Sequence, residues 1–259
     1  MMNRHAVQRF SGPLTLCATL AFGGSAAAAE EPDSYAVAAL VGQEITVVAY
    51  QATVGSRLDR NFQQHIPILD DHFDRLATEL SIGMIRDTLP TAVVQPVSFR
   101  DTAPFADSDA LLPDQGLKPL LEAVQALSLP KDTQDVVLTS KFRSDARFKV
   151  SSGTIGSGKL TGLGFYIDAD KRMKRTDTGA SGRGFVPPFA YVTVSLIDLR
   201  TGTVVRSVTA TARGARANVG PNTTLNPWDA TTAEQKLRAF DNMLGRALRS
   251  AIPRVIAPA

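Results

Sequence analysis

The stretch YVTVSLIDLRTGTVVRSVTATA at 191–212 decides the fold class. Val192, Val194 and Leu196 alternate with Thr193 and Ser195, the period-two pattern of a strand with one face in a core. Arg200, Thr201 and Gly202 make a turn, and Thr203 to Ala212 is the return strand, so the stretch predicts an antiparallel hairpin. Downstream, Thr231-Thr232-Ala233-Glu234 spells a capping box, in which the Thr231 hydroxyl and the Glu234 carboxylate satisfy backbone donors of a helix start. Leu237, Phe240, Leu244, Leu248 and Ile252 then form one apolar stripe, and Pro253 is expected to end that helix.

Working back from the hairpin, Asp135 to Phe142 and Leu163 to Ile167 read as further strands. Near the start of the mature chain, Ala36–Val41 and Ile45–Tyr50 are β-rich runs, either a hairpin or one bent strand. Residues 51–69 look irregular. Phe73, Leu76, Ala77, Leu80 and Met84 recur at helical spacing, so a helix is expected over about 71–88, capped by Asp70 or Asp71 and stopped by Pro90. Ala92–Phe99 is a strand whose Pro96 belongs at an edge, because proline has no N–H for the ladder. Leu117, Leu120, Leu121, Val124 and Leu127 mark a second helix with Asp114 as its cap. Residues 168–188 are charged and glycine-rich and predict a long mobile loop. The expected class is α+β, an α/β sandwich: a mixed, largely antiparallel sheet with amphipathic helices packed mainly on one face.

Residues 1–29 read as a cleavable signal peptide. Arg4, His5 and Arg9 precede a short apolar core, Pro13–Phe22, and a run of small residues, Ser25–Ala29. Export to the periplasm follows, with 30–259 as a single α/β domain. Leu16 precedes Cys17 where a lipoprotein peptidase requires a small residue, so lipid anchoring through Cys17 is not expected. Cys17 is the one cysteine; once it is removed, the mature chain has no disulfide and no thiolate chemistry. No long apolar run predicts a transmembrane segment.

The charge is divided along the chain. Residues 30–140 hold 7 basic and 17 acidic side chains, whereas 141–183 hold 10 basic and 4 acidic. Lys159, Lys171, Arg172, Lys174, Arg175 and Arg183 are the candidate binding residues for an anionic partner, since Lys and Arg on glycine-rich backbone adapt to phosphate or carboxylate groups. Nucleic acid is not expected, because no aromatic residues are interleaved with the cations of 168–183 as stacking platforms.

Complete catalytic motifs are missing from the sequence. Gly153–Lys159 resembles the start of a phosphate-binding loop, but Leu160 stands where a Ser or Thr must hold magnesium. There is no nucleophile elbow, although a carboxylate pair for glycoside cleavage depends on distances in space that sequence does not give. Asp70, Asp71, His72 and Asp74 form the densest ligand-type cluster and are the weaker alternative, a metal site. On a helix, however, only residues three or four apart share a face, and acidic residues in a first turn also serve the helix dipole. No cofactor is expected.

The segment Val194-Ser195-Leu196-Ile197-Asp198-Leu199-Arg200-Thr201-Gly202-Thr203-Val204-Val205, leading to a closing helix, resembles periplasmic envelope-assembly α/β modules. Among them are the N-terminal domain of the Tol system's propeller protein, the curli secretion lipoprotein, and lipoprotein activators of penicillin-binding proteins. The helix over 71–88 and the strand Ala92–Phe99 are also similar to theirs. The resemblance covers about half of the mature chain, carries over no functional residue, and lacks the lipobox cysteine of the lipoprotein members. It implies a non-enzymatic binding or scaffolding protein of the bacterial cell envelope, whose partner is another envelope protein or an anionic envelope polymer. The alternatives are a periplasmic hydrolase, which the metal candidates would serve, and a carrier for a small ligand or lipid.

Overall fold

The computed structural model describes residues 33–42, 44–52, 61–68, 70–99, 112, 116–174, 179–214 and 231–257, all within the unit Pro32–Ala259. The signal segment, Cys17, Asp114, Arg175 and Trp228 lie outside the described residues. In chain order the elements are β1 (Ser34–Leu40), β2 (Glu44–Ala49), β3 (Phe62–Pro67), α1 (His72–Thr88), β4 (Val93–Pro96), α2 (Lys118–Gln125), β5 (Asp135–Lys141) and β6 (Arg143–Asp145). They continue as β7 (Phe148–Val150), β8 (Gly153–Ile155), β9 (Lys159–Thr161), β10 (Leu163–Lys174), β11 (Ser181–Phe185), β12 (Pro188–Asp198), β13 (Thr203–Arg213) and α3 (Ala233–Ile256).

The β12–β13 hairpin forms as its sequence dictates and organises the main sheet. β13 takes one edge of β12. The other edge is divided: β5 pairs antiparallel with Val192–Asp198, and β10 pairs antiparallel with Pro188–Ala190. β1 lies parallel to β5 and to β4. β2 lies parallel to β10 and antiparallel to β3. β1 and β2 thus take different partners, so the first two runs are one bent path and not a hairpin. Most pairings are antiparallel, as expected.

Successive residues of β1 point to opposite faces, and both faces are covered. Tyr35, Val37 and Ala39 join Phe73, Ala77 and Ile85 of α1 and Phe240, Leu244, Leu248 and Ile252 of α3 in one core. Ala36, Ala38 and Leu40 join Leu120, Ala123 and Val124 of α2 in a second. Of the described helices, α1 and α3 share a face and α2 takes the reverse one. On that reverse face of β10 and β12, Tyr166, Phe189 and Tyr191 pack with Phe148, Ile155 and Leu160. These come from the small ribbons β6–β9 and β7–β8. Burial on both sides explains why 36–41 reads as an unbroken apolar run rather than an alternating one.

Four local expectations change. Residues 62–67 form β3, an edge strand of mostly exposed side chains whose polar sequence, with no buried face, gives no alternation. Residues 168–188 are not one loop: β10 continues to Lys174 and pairs with β11. The capping box sits one residue later than expected, with Thr232 as the cap and Gln235 as its reciprocal partner; both positions fit the Ser/Thr-x-x-Glu/Gln pattern. Pro253 lies inside α3 and does not end it. The lost N–H falls near the C-terminal end, where the helix still buries Val255 and Ile256. Pro96 lies on β4, a terminal strand of the sheet, as its chemistry requires.

Candidate functional site

The basic residues gather because of how β10 leaves the sheet. Up to Ile167 this strand is held by β2. Beyond it, β11 is the only described strand paired with β10, and the pair forms a two-stranded arm. Asp168 sets the bend. Its Oδ1 accepts the backbone N–H of Asp170 (3.2 Å) and of Lys171 (3.0 Å), and the register of the β10–β11 pair shifts between Asp168 and Arg172. Past the shift, Arg172 stands opposite Arg183, Met173 opposite Gly182, and Lys174 opposite Ser181.

Met173 packs against the aromatic core under the small ribbons. By strand alternation Arg172 and Lys174 occupy the other face, with Arg183 across the ladder from Arg172. Residues directly opposite in an antiparallel pair have Cβ atoms about 5 Å apart, and like charges there are destabilising. None of the three side chains is in an ion pair with a described carboxylate. The arm is therefore a concentrated cationic face left uncompensated among the described residues.

Lys159 is not part of it. It lies on β9 and bonds Asp145 at 2.5 Å, while Arg147 reaches the same carboxylate at 3.2 Å. The Lys159 hydrogen bond, above all, holds Asp145 below the usual carboxylate range. The glycine run 153–158 is β8 and its connection to β9, and no helix follows it, so the N-terminal dipole that a phosphate loop needs is missing.

The structure also distributes the metal candidates. Asp70 accepts the backbone N–H of His72 at 3.1 Å, doing the capping that Asp71 at the N-cap does not. Asp71 pairs with Arg75 at 3.1 Å. His72 Nε2 meets Asp241 of α3 at 3.2 Å. Asp74 turns toward the sheet and accepts the N–H groups of Val41 (2.5 Å) and Gly42 (3.0 Å). Each candidate holds a separate structural partner, and no group of three metal-ligating side chains converges among the described residues.

One polar cluster left no signal in the sequence. Where β1 bends into β2, Lys141 at the end of β5 is only 3% exposed, and its Nζ bonds Glu44 at 3.1 Å. His65 of β3 reaches the same Glu44 oxygen at 3.1 Å. Burial alone would raise the Glu44 carboxyl, but Lys141 and His65 outweigh it and hold the group below its ordinary range. Asp74 closes the cluster from α1. Burial pushes it up to about 6, against the two N–H donors and Lys141. Gly162, at φ +63, lies against the Lys141 stem, where a Cβ would come within 2.9 Å of Cδ. These residues are far apart in sequence and meet only when β2, β3, β5, α1 and the turn between β9 and β10 converge, so no spacing rule finds them.

A cleft of about 370 Å³ opens at the base of the arm, lined in part by Tyr50, Ser157, Tyr166, Asp168, Asp170 and Lys171. Another, of about 480 Å³, lies at the far end of β5 and β12 beside Asp135 and Asp198. Burial, helped by Asp198 and Asp33, pushes Asp135 up to about 6. Asp198 accepts the N–H groups of Arg200 (2.7 Å) and Thr201 (3.0 Å), which commits its carboxylate to the turn.

No protein-family model matches the chain, and no curated protein matches it. Several solved structures are similar. The PelC dodecamer from Paraburkholderia phytofirmans is 15% identical over 88% of this chain and 86% of that one, with a TM-score of 0.31. A neuraminyllactose-binding hemagglutinin homolog from Helicobacter pylori is 9% identical over 88% and 86%, with a TM-score of 0.39. A hypothetical protein from Chlamydia trachomatis is 13% identical over 87% and 96%, with a TM-score of 0.33. No residue or role carries across superpositions this loose.

Proposed function

We propose that this chain is a non-enzymatic binding protein of the bacterial cell envelope, exported to the periplasm, and that the β10–β11 arm engages an anionic partner. One observation carries the reading. Arg172 and Arg183 face each other across the ladder with Lys174 alongside, and no described carboxylate pairs with any of them. Such a face is relieved when phosphate, sulfate or carboxylate groups enter it, because charge-assisted bonds from guanidinium replace mutual repulsion. Away from the arm, the acidic and imidazole side chains named as metal candidates are engaged in capping and ion pairs, which supports binding over catalysis. Among the described residues no helix is long and apolar enough to cross a membrane. The signal-peptide pattern of residues 1–29 and the resemblance of the β12–β13 segment to envelope modules support the periplasmic reading.

Chromatography on immobilised heparin tests the arm. The wild-type chain is expected to be retained and to elute late in a salt gradient, since release of counterions makes such binding steeply salt-dependent. Arg172→Gln/Arg183→Gln is expected to elute early with an unchanged melting temperature. Identical elution of the two proteins would sink the reading. Fractionation with N-terminal sequencing checks export: the expected product begins near Glu30 and leaves with the periplasmic contents.

A further inference from the structure

The anionic partner has a second requirement written beside the arm. Tyr50 and Phe62 are 41% and 55% exposed, two of the few large apolar side chains on the described surface. Phe62 opens β3 and Tyr50 directly follows Ala49, the last residue of β2; successive residues point to opposite faces, so the two rings flank the arm's base from the two sides of the sheet. Phe62 is opposite Ala49 in the β2–β3 pair, and the N–H of Tyr50 bonds the carbonyl of Ile167 at 2.7 Å, one residue before the bend at Asp168. Tyr50 and Lys171 line the same cleft. The arm carries four cations, Lys171, Arg172, Lys174 and Arg183, against two carboxylates over 168–174 and 181–185. Of those two, Asp168 is committed to backbone donors. Among the described residues, this end of the molecule therefore presents exposed aromatic rings together with cations that no described carboxylate pairs.

We infer that this end docks on an anionic lipid surface, the arm supplying the charge and Tyr50 and Phe62 the apolar contact. The inference rests on the anionic-partner reading above and narrows it. A hydrophilic polyanion would use the arginines and gain nothing from an exposed phenyl ring. A bilayer interface uses both: aromatic rings settle at the headgroup level, and each Lys or Arg near an anionic surface adds a comparable increment of affinity. Long basic side chains also lay their apolar stems along the boundary while the charged heads stay with the phosphates. The attachment is peripheral, made by side chains of a β surface.

The test uses the full protein as purified from expressing cells. It measures co-sedimentation with vesicles of phosphatidylcholine alone, co-sedimentation with vesicles containing phosphatidylglycerol, and binding to soluble polyphosphate. Binding is expected to the anionic vesicles and not to phosphatidylcholine alone. Arg172→Gln/Arg183→Gln is expected to weaken vesicle and polyphosphate binding alike, by about fivefold per charge removed. Tyr50→Ser/Phe62→Ser is expected to weaken vesicle binding about tenfold and leave polyphosphate binding unchanged. All four side chains are exposed or on the arm, and matching melting curves confirm that the variants fold. Polyphosphate binding through Arg172 and Arg183 without vesicle binding overturns the lipid inference and leaves the anionic reading standing. So does vesicle binding indifferent to the aromatic pair. Binding to neither probe overturns both.

Discussion

At the scale of single residues, the arrangement around Lys141 and Glu44 separates structural charge from functional charge. Both groups are charged and adjoin glycine-rich backbone, yet Lys141 is buried and paired while Arg172 is exposed and faces another arginine. Sequence composition treats them alike; solvent access and partners tell them apart. Removing one member of a buried pair strands the other, which costs roughly 3–5 kcal/mol when both are sealed from water. Glu44 keeps some contact with water, so Glu44→Gln is expected to destabilise by about 2 kcal/mol. Lys141→Met is expected to cost less, because a flexible apolar chain fills the same space beside Gly162 and leaves Glu44 to His65. Urea unfolding midpoints of the two variants check the order. If Lys141→Met is the more damaging, the lysine matters through more than this pair.

At the scale of elements, α3 shows what local pattern predicts and what it misses. Its apolar stripe was legible because one face repeats at helical spacing: Phe240, Leu244, Leu248 and Ile252 are buried, whereas Leu237, near the start of the helix, is exposed. Its ends were not. The start could be placed at Thr231 or Thr232, since both satisfy the same motif, and the fold selects Thr232. Thr232→Ala is expected to cost about 1 kcal/mol and Thr231→Ala to lack that capping loss, which paired thermal melts resolve. The end was assigned to Pro253, but the helix runs on because Arg206 of β13 donates to the carbonyls of Arg254 (3.2 Å), Val255 (3.2 Å) and Ala257 (2.5 Å). A partner about fifty residues away in sequence is invisible to any helix-stop rule. The arm was misread for a related reason. Strand signals rest on a repeated buried face, and a ribbon with exposed charges on both strands and a single apolar contact beyond its base, Met173, has too little of one to read.

At the scale of the whole molecule, five described carboxylates fall into two sets with opposite effects on stability. Asp74 and Asp135 are pushed up to about 6 from an ordinary value of 3.8, chiefly by burial. Between those values the folded chain holds protons that the unfolded chain has released, so their contribution to stability is lost as pH rises through that window. Glu44, Asp145 and Asp198 are held low by their partners, so their contribution is lost as pH falls below the ordinary carboxylate range. Stability is expected to peak in mildly acidic solution, and Asp74→Asn is expected to flatten the decline toward neutrality. Urea midpoints taken from about pH 4 to pH 7 measure this. A midpoint that climbs steadily to neutrality would refute it. By itself the sequence determined the α+β class, the β12–β13 hairpin, the basic character of 168–183 and most of the apolar stripes of α1, α2 and α3, whose Leu117 and Leu237 members are exposed. Each is a periodic or compositional property carried by neighbours along the chain. Only the tertiary structure decided that α2 lies on the reverse face, that 168–188 holds a paired arm, that Lys159 belongs to Asp145 and not to that arm, and that Tyr50 and Phe62 stand beside it. Those depend on which distant segments share a strand edge, and pairing across the sheet is settled by packing both of its faces at once.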